Sequence, residues 1–155
     1  MCGACSSGGT KPQADACQYV TEGDVSTAFG FPVTRDVTLS AQSHQCVFHR
    51  SSNNASDGLD LVSVNVARGQ GAINAYRAII GDPSVIVDDA SGSPAAAPAH
   101  QLVPGLGDGA VWEPSLPQLV VVKGDTRLDV LLGGPGNADE AAATRLAATI
   151  LPRLT

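Results

Sequence analysis

Polar and apolar positions alternate most clearly between Leu59 and Ala67, where Val62, Val64 and Val66 are separated by Ser63 and Asn65. Such a run suits one dry and one wet face and predicts a strand. Strand patterns also cover Val33–Leu39 and Gln45–Arg50, and the second half of the chain adds Ala110–Glu113, Gln118–Lys123 and Thr126–Leu132. Lys123, Gly124 and Asp125 form the tight turn that makes the last two a hairpin, and Leu128, Val130 and Leu132 share a face there.

Helical spacing predicts three helices. In "YVTEGDVSTAFGF", Thr21 is the cap, Asp24 follows three residues later and Gly30 is the stop. Val20 and Val25 are spaced as a hydrophobic staple, with Phe29 one turn beyond Val25. The second helix, Gln70–Ile80, aligns Ile73, Tyr76, Ile79 and Ile80 and ends at Gly81. For the third, Asn137 is the predicted cap, Glu140 takes the capping-box position, Leu146 and Ile150 form the apolar seam, and Pro152 ends or kinks it. Ser51–Gly58 and Asp88–His100, the latter after a short apolar run at Val85–Val87, read as loops from their Ser, Asn, Gly, Pro and Ala content.

Strands joined by hairpins, with amphipathic helices to cover them, predict an α+β fold. The expected form is a two-layer sandwich, a mainly antiparallel sheet under about three helices. Both halves run strand, strand, helix, as a duplicated unit would. The chain has 155 residues, the length of one ordinary domain with a self-sufficient core. Residues 1–16 read as a start followed by a polar tether, and 17–155 as a single globular domain.

Composition narrows the function classes. Nine basic against fifteen acidic residues give a net charge of -6, so there is no positive excess to neutralise phosphates. Nucleic acid is not an expected partner, nor is an anionic membrane surface held by charge alone. The longest apolar run, Leu119–Val122, is far short of the roughly 20 residues that span a bilayer.

Several constellations suggest chemistry. "HQCVFH" offers His44, Cys46 and His49 as soft metal ligands, but on a strand His44 and Cys46 point one way and His49 the other. The simpler reading buries Cys46 and leaves both histidines solvated, so no metal or other cofactor is expected. "VPGLGDGAVW" looks like a phosphate cradle, yet its glycines lead into a strand where that chemistry needs a helix N-terminus. Gly105 and Gly107 then serve a turn, within which Asp108 hydrogen-bonds. Trp112 reads as packing. No G-x-S-x-G, H-E-x-x-H or Walker loop is present. A serine, histidine and acid meeting only in the fold, the hydrolase alternative, has no signature in the sequence. The acids at Asp139 and Glu140 suit a helix's first turn, and no catalytic residue is expected.

All four cysteines, Cys2, Cys5, Cys17 and Cys46, fall in the first third. Cys17 and Cys46 flank one helix and one strand, a span that a compact unit can close. A bridge there stabilises the fold by about 3.5 kcal/mol in the chain-entropy model and requires an oxidising compartment. The alternative is two buried thiols. Cys2 and Cys5 have C-x-x-C spacing, which admits a thiol-dependent redox or metal-binding protein. A redox pair of this kind opens a helix, however, and here a Ser and Gly tether follows.

"CQYVTEGDVSTAFG", "CVF", "VPGLGDGAVW" and "ATRLAATILPRL" occur in the order and spacing that resemble small actinobacterial cell-envelope lipoproteins of unknown function. The resemblance runs through nearly the whole chain from Cys17. It implies that Cys17 pairs with Cys46, that Gly3-Ala4-Cys5 is the remnant of a lipobox with Cys5 as the lipid-attachment residue, and that no enzymatic activity is established. The implied protein is a non-catalytic extracytoplasmic monomer, held to the membrane by its N-terminal lipid or secreted, and binding an envelope protein, lipid or small ligand. A lipoprotein signal needs charged residues and an apolar segment before its cleavage site, so either the signal has been removed or the true start lies upstream of Met1.

Overall fold

The computed structural model describes residues 15–43, 45–51, 61–81, 100–134 and 139–154. Among these, seven strands are present: β1 Val33–Arg35, β2 Cys46–Arg50, β3 Leu61–Arg68, β4 Gln101–Leu102, β5 Gly109–Glu113, β6 Gln118–Lys123 and β7 Thr126–Gly133. The helices are α1 Glu22–Phe29, α2 Val37–Ser43, α3 Gln70–Ile79 and α4 Glu140–Ile150, with 3-10 turns at Ala16–Gln18 and Leu151–Arg153. The strands form one antiparallel sheet in the order β1-β2-β3-β7-β6-β5-β4, and the fold is an α+β sandwich.

The alternation read in the sequence sets which side is dry. Val62, Val64 and Val66 of β3 stand opposite Leu132, Val130 and Leu128 of β7. These side chains lie in one core with Val25 and Ala28 of α1 and Leu146, Ala147 and Ile150 of α4. Complete burial of residues such as Phe48, Leu119, Leu128, Leu146 and Ile150 contributes about 1.5–3 kcal/mol apiece. Trp112 belongs to the same core.

Helix α3 packs on the reverse side. Along β6, Leu119 and Val121 join the α1 and α4 core, whereas Val120 and Val122 pack with Val111 against Tyr76 of α3. Cover on both faces explains why β6 is an unbroken apolar run. Nearer the sheet centre the reverse face is polar. Asn65 Nδ2 donates to Asp129 Oδ2 at 3.2 Å, Arg127 Nε to Asp129 Oδ1 at 2.7 Å, and Ser63 Oγ to Gln45 Oε1 at 2.8 Å. The strand order has the symmetry of two meanders meeting at β3 and β7, but α3 and α4, which follow those strands, lie on opposite faces.

Helix α1 begins and ends as its sequence requires. Thr21 Oγ1 accepts from the Asp24 N–H at 3.2 Å while Asp24 Oδ2 accepts from the Thr21 N–H at 2.9 Å, the reciprocal cap. Gly30 closes the helix at φ 76°, a left-handed geometry that suits glycine. From α4, Arg145 donates to the Ala28 carbonyl through Nε and Nη2, satisfying an end-of-helix acceptor.

Three expectations change. The strand predicted over Val33–Leu39 stops at Arg35, and Val37–Ser43 is helical. Asp36 causes the switch: its Oδ1 accepts from the Leu39 N–H at 2.8 Å and its carbonyl from Ser40. Asn137 lies outside the described residues, and the cap of α4 is Asp139, whose Oδ1 accepts from the Ala142 N–H at 2.8 Å. Asp108 does not bond within its own turn. Its N–H donates to the Val122 carbonyl and its Oδ2 accepts from the Gly124 N–H, so it ties the β4–β5 turn to the β6–β7 hairpin.

The β1 edge is closed by α1. The outward N–H of Val33 donates to Ser26 Oγ at 3.2 Å, and that of Arg35 donates to Glu22 Oε1 at 2.7 Å.

Candidate functional site

A disulfide joins Cys17 to Cys46. Cys17 sits in the 3-10 turn before α1, placed by Asp15, whose Oδ1 accepts the Cys17 N–H at 3.0 Å. Cys46 opens β2 opposite Val64 and is fully buried, while Cys17 is half-buried and faces a cleft.

That cleft lies where α1 begins, between β1 and α2. Its cavity is about 520 Å3, lined by Cys17, Val20, Thr21, Glu22, Gly23, Arg35, Val37 and Phe48. A second cavity, about 270 Å3, shares Cys17, Arg35 and Val37 and reaches Asp15, Ser40 and Ala41. The larger volume is within the range of small-molecule sites. Val20 and Phe48 are buried beneath it in the core, and half-buried Cys17 stands in its wall. Val37, which is 63% exposed, stands at the lip, and α2 carries no buried residue.

The charges around the cleft are unevenly matched. Asp15 and Glu22 each accept a backbone N–H, from Cys17 and Arg35 respectively. Asp24, just beyond, takes both Arg153 nitrogens, at 2.6 Å and 2.9 Å. The Arg153 guanidinium is the main reason that the Asp24 carboxyl is held down at about 2, with the Thr21 hydrogen bonds adding to it against the opposing effect of burial. Arg35 differs: its backbone is bonded to Glu22, but its guanidinium has no partner among the described residues. Behind α2, Asp36 Oδ2 meets His49 Nε2 at 2.9 Å, while His49 Nδ1 is buried with no hydrogen-bond partner among the described residues. The Asp36 carboxyl is lowered, first by the Leu39 N–H and then by His49.

The sequence-derived candidates are distributed as follows. Cys2, Cys5 and His44 lie outside the described residues. Cys46 is oxidised in the disulfide, so the His44, Cys46 and His49 constellation lacks its thiolate. His49 is paired with Asp36 and is not simply solvated. The glycine segment turns into β5 with the Asp108 N–H already bonded. Gly107, at φ 62°, passes so close to the Val122 carbonyl that a Cβ there would collide with it. Beside this turn a cavity of about 280 Å3 is lined by Tyr76, whose hydroxyl pKa burial pushes up. Among the described residues no three His, Cys, Asp or Glu side chains group as a metal site, and no helix is long and apolar enough to cross a membrane.

Arg35, Val37 and Glu22 were not among the candidates. One signal was present: Asp36, three residues before Leu39, is a cap residue that interrupts the strand pattern and turns Val37 outward. The convergence of Glu22 on the Arg35 backbone had none, because the two are joined only by the fold.

No family model, curated protein or solved structure is significantly similar to the chain.

Proposed function

We propose that this protein is a non-catalytic, extracytoplasmic binding domain of the actinobacterial cell-envelope lipoprotein type, tethered through a lipid on Cys5 and binding a small envelope component in the cleft beside Cys17. The observation that carries this reading is the Cys17–Cys46 disulfide in the wall of a cavity of about 520 Å3. A disulfide at this position is maintained in an oxidising compartment, and the cavity beside it, lined by polar and apolar residues alike, has the volume of a small-molecule site. The ordered motifs from "CQYVTEGDVSTAFG" to "ATRLAATILPRL" support the same assignment.

Two measurements test it. Intact-mass analysis after alkylation, with and without reductant, should show Cys17 and Cys46 protected until reduced. Two free thiols at these positions after aerobic purification would refute the oxidising compartment. The gene expressed with its natural upstream sequence should place the protein in the detergent phase of a phase-separation extract, and Cys5→Ala should move it to the aqueous phase. Unchanged partitioning would remove the lipid anchor from the reading.

A further inference from the structure

We infer that the β4 edge of the sheet, with the cavity beside Tyr76, takes an extended peptide of basic character, which adds to β4 as a further strand. This site lies at the opposite edge of the sheet from β1 and the cleft beside Cys17, and it goes beyond the reading given for that cleft.

The main chain of β4 selects the class of partner. The Val103 N–H donates to the Ala110 carbonyl at 2.9 Å, so in the next pair along, Leu102 with Val111, the N–H and C=O of each residue turn away from the other strand. At Leu102 that direction is outward, and among the described residues neither group has a partner. On β1, at the far edge, the outward N–H groups of Val33 and Arg35 are both taken by side chains. A free donor and acceptor on one edge residue match the backbone of a second extended chain. The Leu102 side chain, 73% exposed, is the most exposed large apolar group among the described residues, and an added strand would cover it. Because β4 has two residues, backbone pairing supplies little by itself, and the adjoining cavity of about 280 Å3 supplies the second contact. Leu102 and Tyr76 both line it. Tyr76 is 8% exposed, and its hydroxyl, set against Gly109 where a Cβ would collide with it, has no hydrogen-bond partner among the described residues. A buried hydroxyl left unpaired is costly, and a ligand that bonds to it removes that cost. Asp108 is the one charged side chain in the wall; its Oδ2 holds the Gly124 N–H, which leaves Oδ1 for a ligand. In a chain of net charge -6, a cationic donor suits both Asp108 and the Tyr76 oxygen, whereas a second copy of the chain brings the same negative charge.

The probe is the pentapeptide acetyl-Lys-Thr-Val-Thr-Lys-amide, followed by amide chemical-shift titration of the full chain. Its valine and both lysines share one face, so either strand direction covers Leu102 and brings a lysine toward Asp108. The shifts should saturate and be confined to Tyr76 and residues 101–111. The same peptide methylated on its backbone nitrogens should not bind, and a version with glutamate in place of lysine should bind more weakly by about threefold or more. Leu102→Pro removes the outward N–H without breaking a ladder bond and should abolish binding. Tyr76→Phe should weaken binding about threefold with no fall in melting temperature, because the hydroxyl has no bond within the described chain to lose. Equal binding by the methylated peptide, by the glutamate peptide or to the Leu102→Pro variant would overturn the inference, as would shifts that map elsewhere or no saturable binding at all. Sedimentation of the free chain covers the other occupant: a dimer that Leu102→Pro dissociates would assign the edge to a second copy and overturn the peptide.

Discussion

The two halves of the sheet are held in shape by different means. On one side of the β3–β7 junction, β5, β6 and β7 are joined by long backbone ladders with α4 on one face and α3 on the other. On the other side, β1 has three residues and β2 has five, and their short backbone ladders are reinforced by side chains: the Cys17–Cys46 disulfide, Ser26 and Glu22 on the β1 edge, Asp36 against His49, and Ser40 Oγ accepting the Val47 N–H. The cleft opens on this second side. Short strands and a helix with no buried residue belong to the less stable parts of a fold, from which ligand-binding regions are usually drawn.

Removing the staple should separate the halves most strongly. The double variant Cys17→Ser, Cys46→Ser should lose about 3.5 kcal/mol in urea unfolding, given the 29-residue separation. In hydrogen exchange, β1, β2 and α2 should lose protection while β6 and β7 retain it. Uniform loss across the sheet would show that the halves form one cooperative unit. A core deletion on the other side gives the contrast: Leu146→Ala, at a fully buried position of α4, should cost about 3 kcal/mol and lower protection in β6 and β7 as well. Gly107→Ala should cost about 2 kcal/mol, because it combines a left-handed φ with a collision against the Val122 carbonyl. Its effect should be confined to the β4–β5 turn and the adjoining hairpin, leaving the cleft amides unshifted.

The smallest effect is electrostatic. Asp24 titrates at about 2 in the folded protein against an ordinary value of 3.8. A lowered folded pKa means stability that is present above pH 4 and is lost as pH falls from 4 to 2. Arg153 is 41% exposed, so solvent screens the pair and the loss should be about 1 kcal/mol. Asp24→Asn should remove this part of the acid sensitivity, and an unchanged slope of stability between pH 4 and 2 would count against the pair's contribution.

The same division governs what could be read from the sequence. Period-two alternation located β3 and β7, and an unbroken apolar run located β6, each within a residue or two, because burial decides those strands. The Thr21–Asp24 cap and the Gly30 stop were legible because they depend on neighbours along the chain. The β1–α2 boundary was not, since "VTRDVTL" is rich in β-branched residues and a single aspartate overrides that preference. The two-residue β4 is too short to show a period. The disulfide partners were visible as residues. The cleft that they border was not, because Glu22, Arg35 and Val37 converge only after β1 lies under the start of α1.

The closed edge of β1 also bears on how molecules meet one another. Sheets aggregate by adding a strand from another chain to an edge with free donors. At β1 the Val33 and Arg35 donors are already bonded within the chain, so an incoming strand must first displace a hydroxyl and a carboxylate. Ser26 and Glu22 therefore act as guards against self-association, a role that matters most wherever many copies of a protein are crowded together.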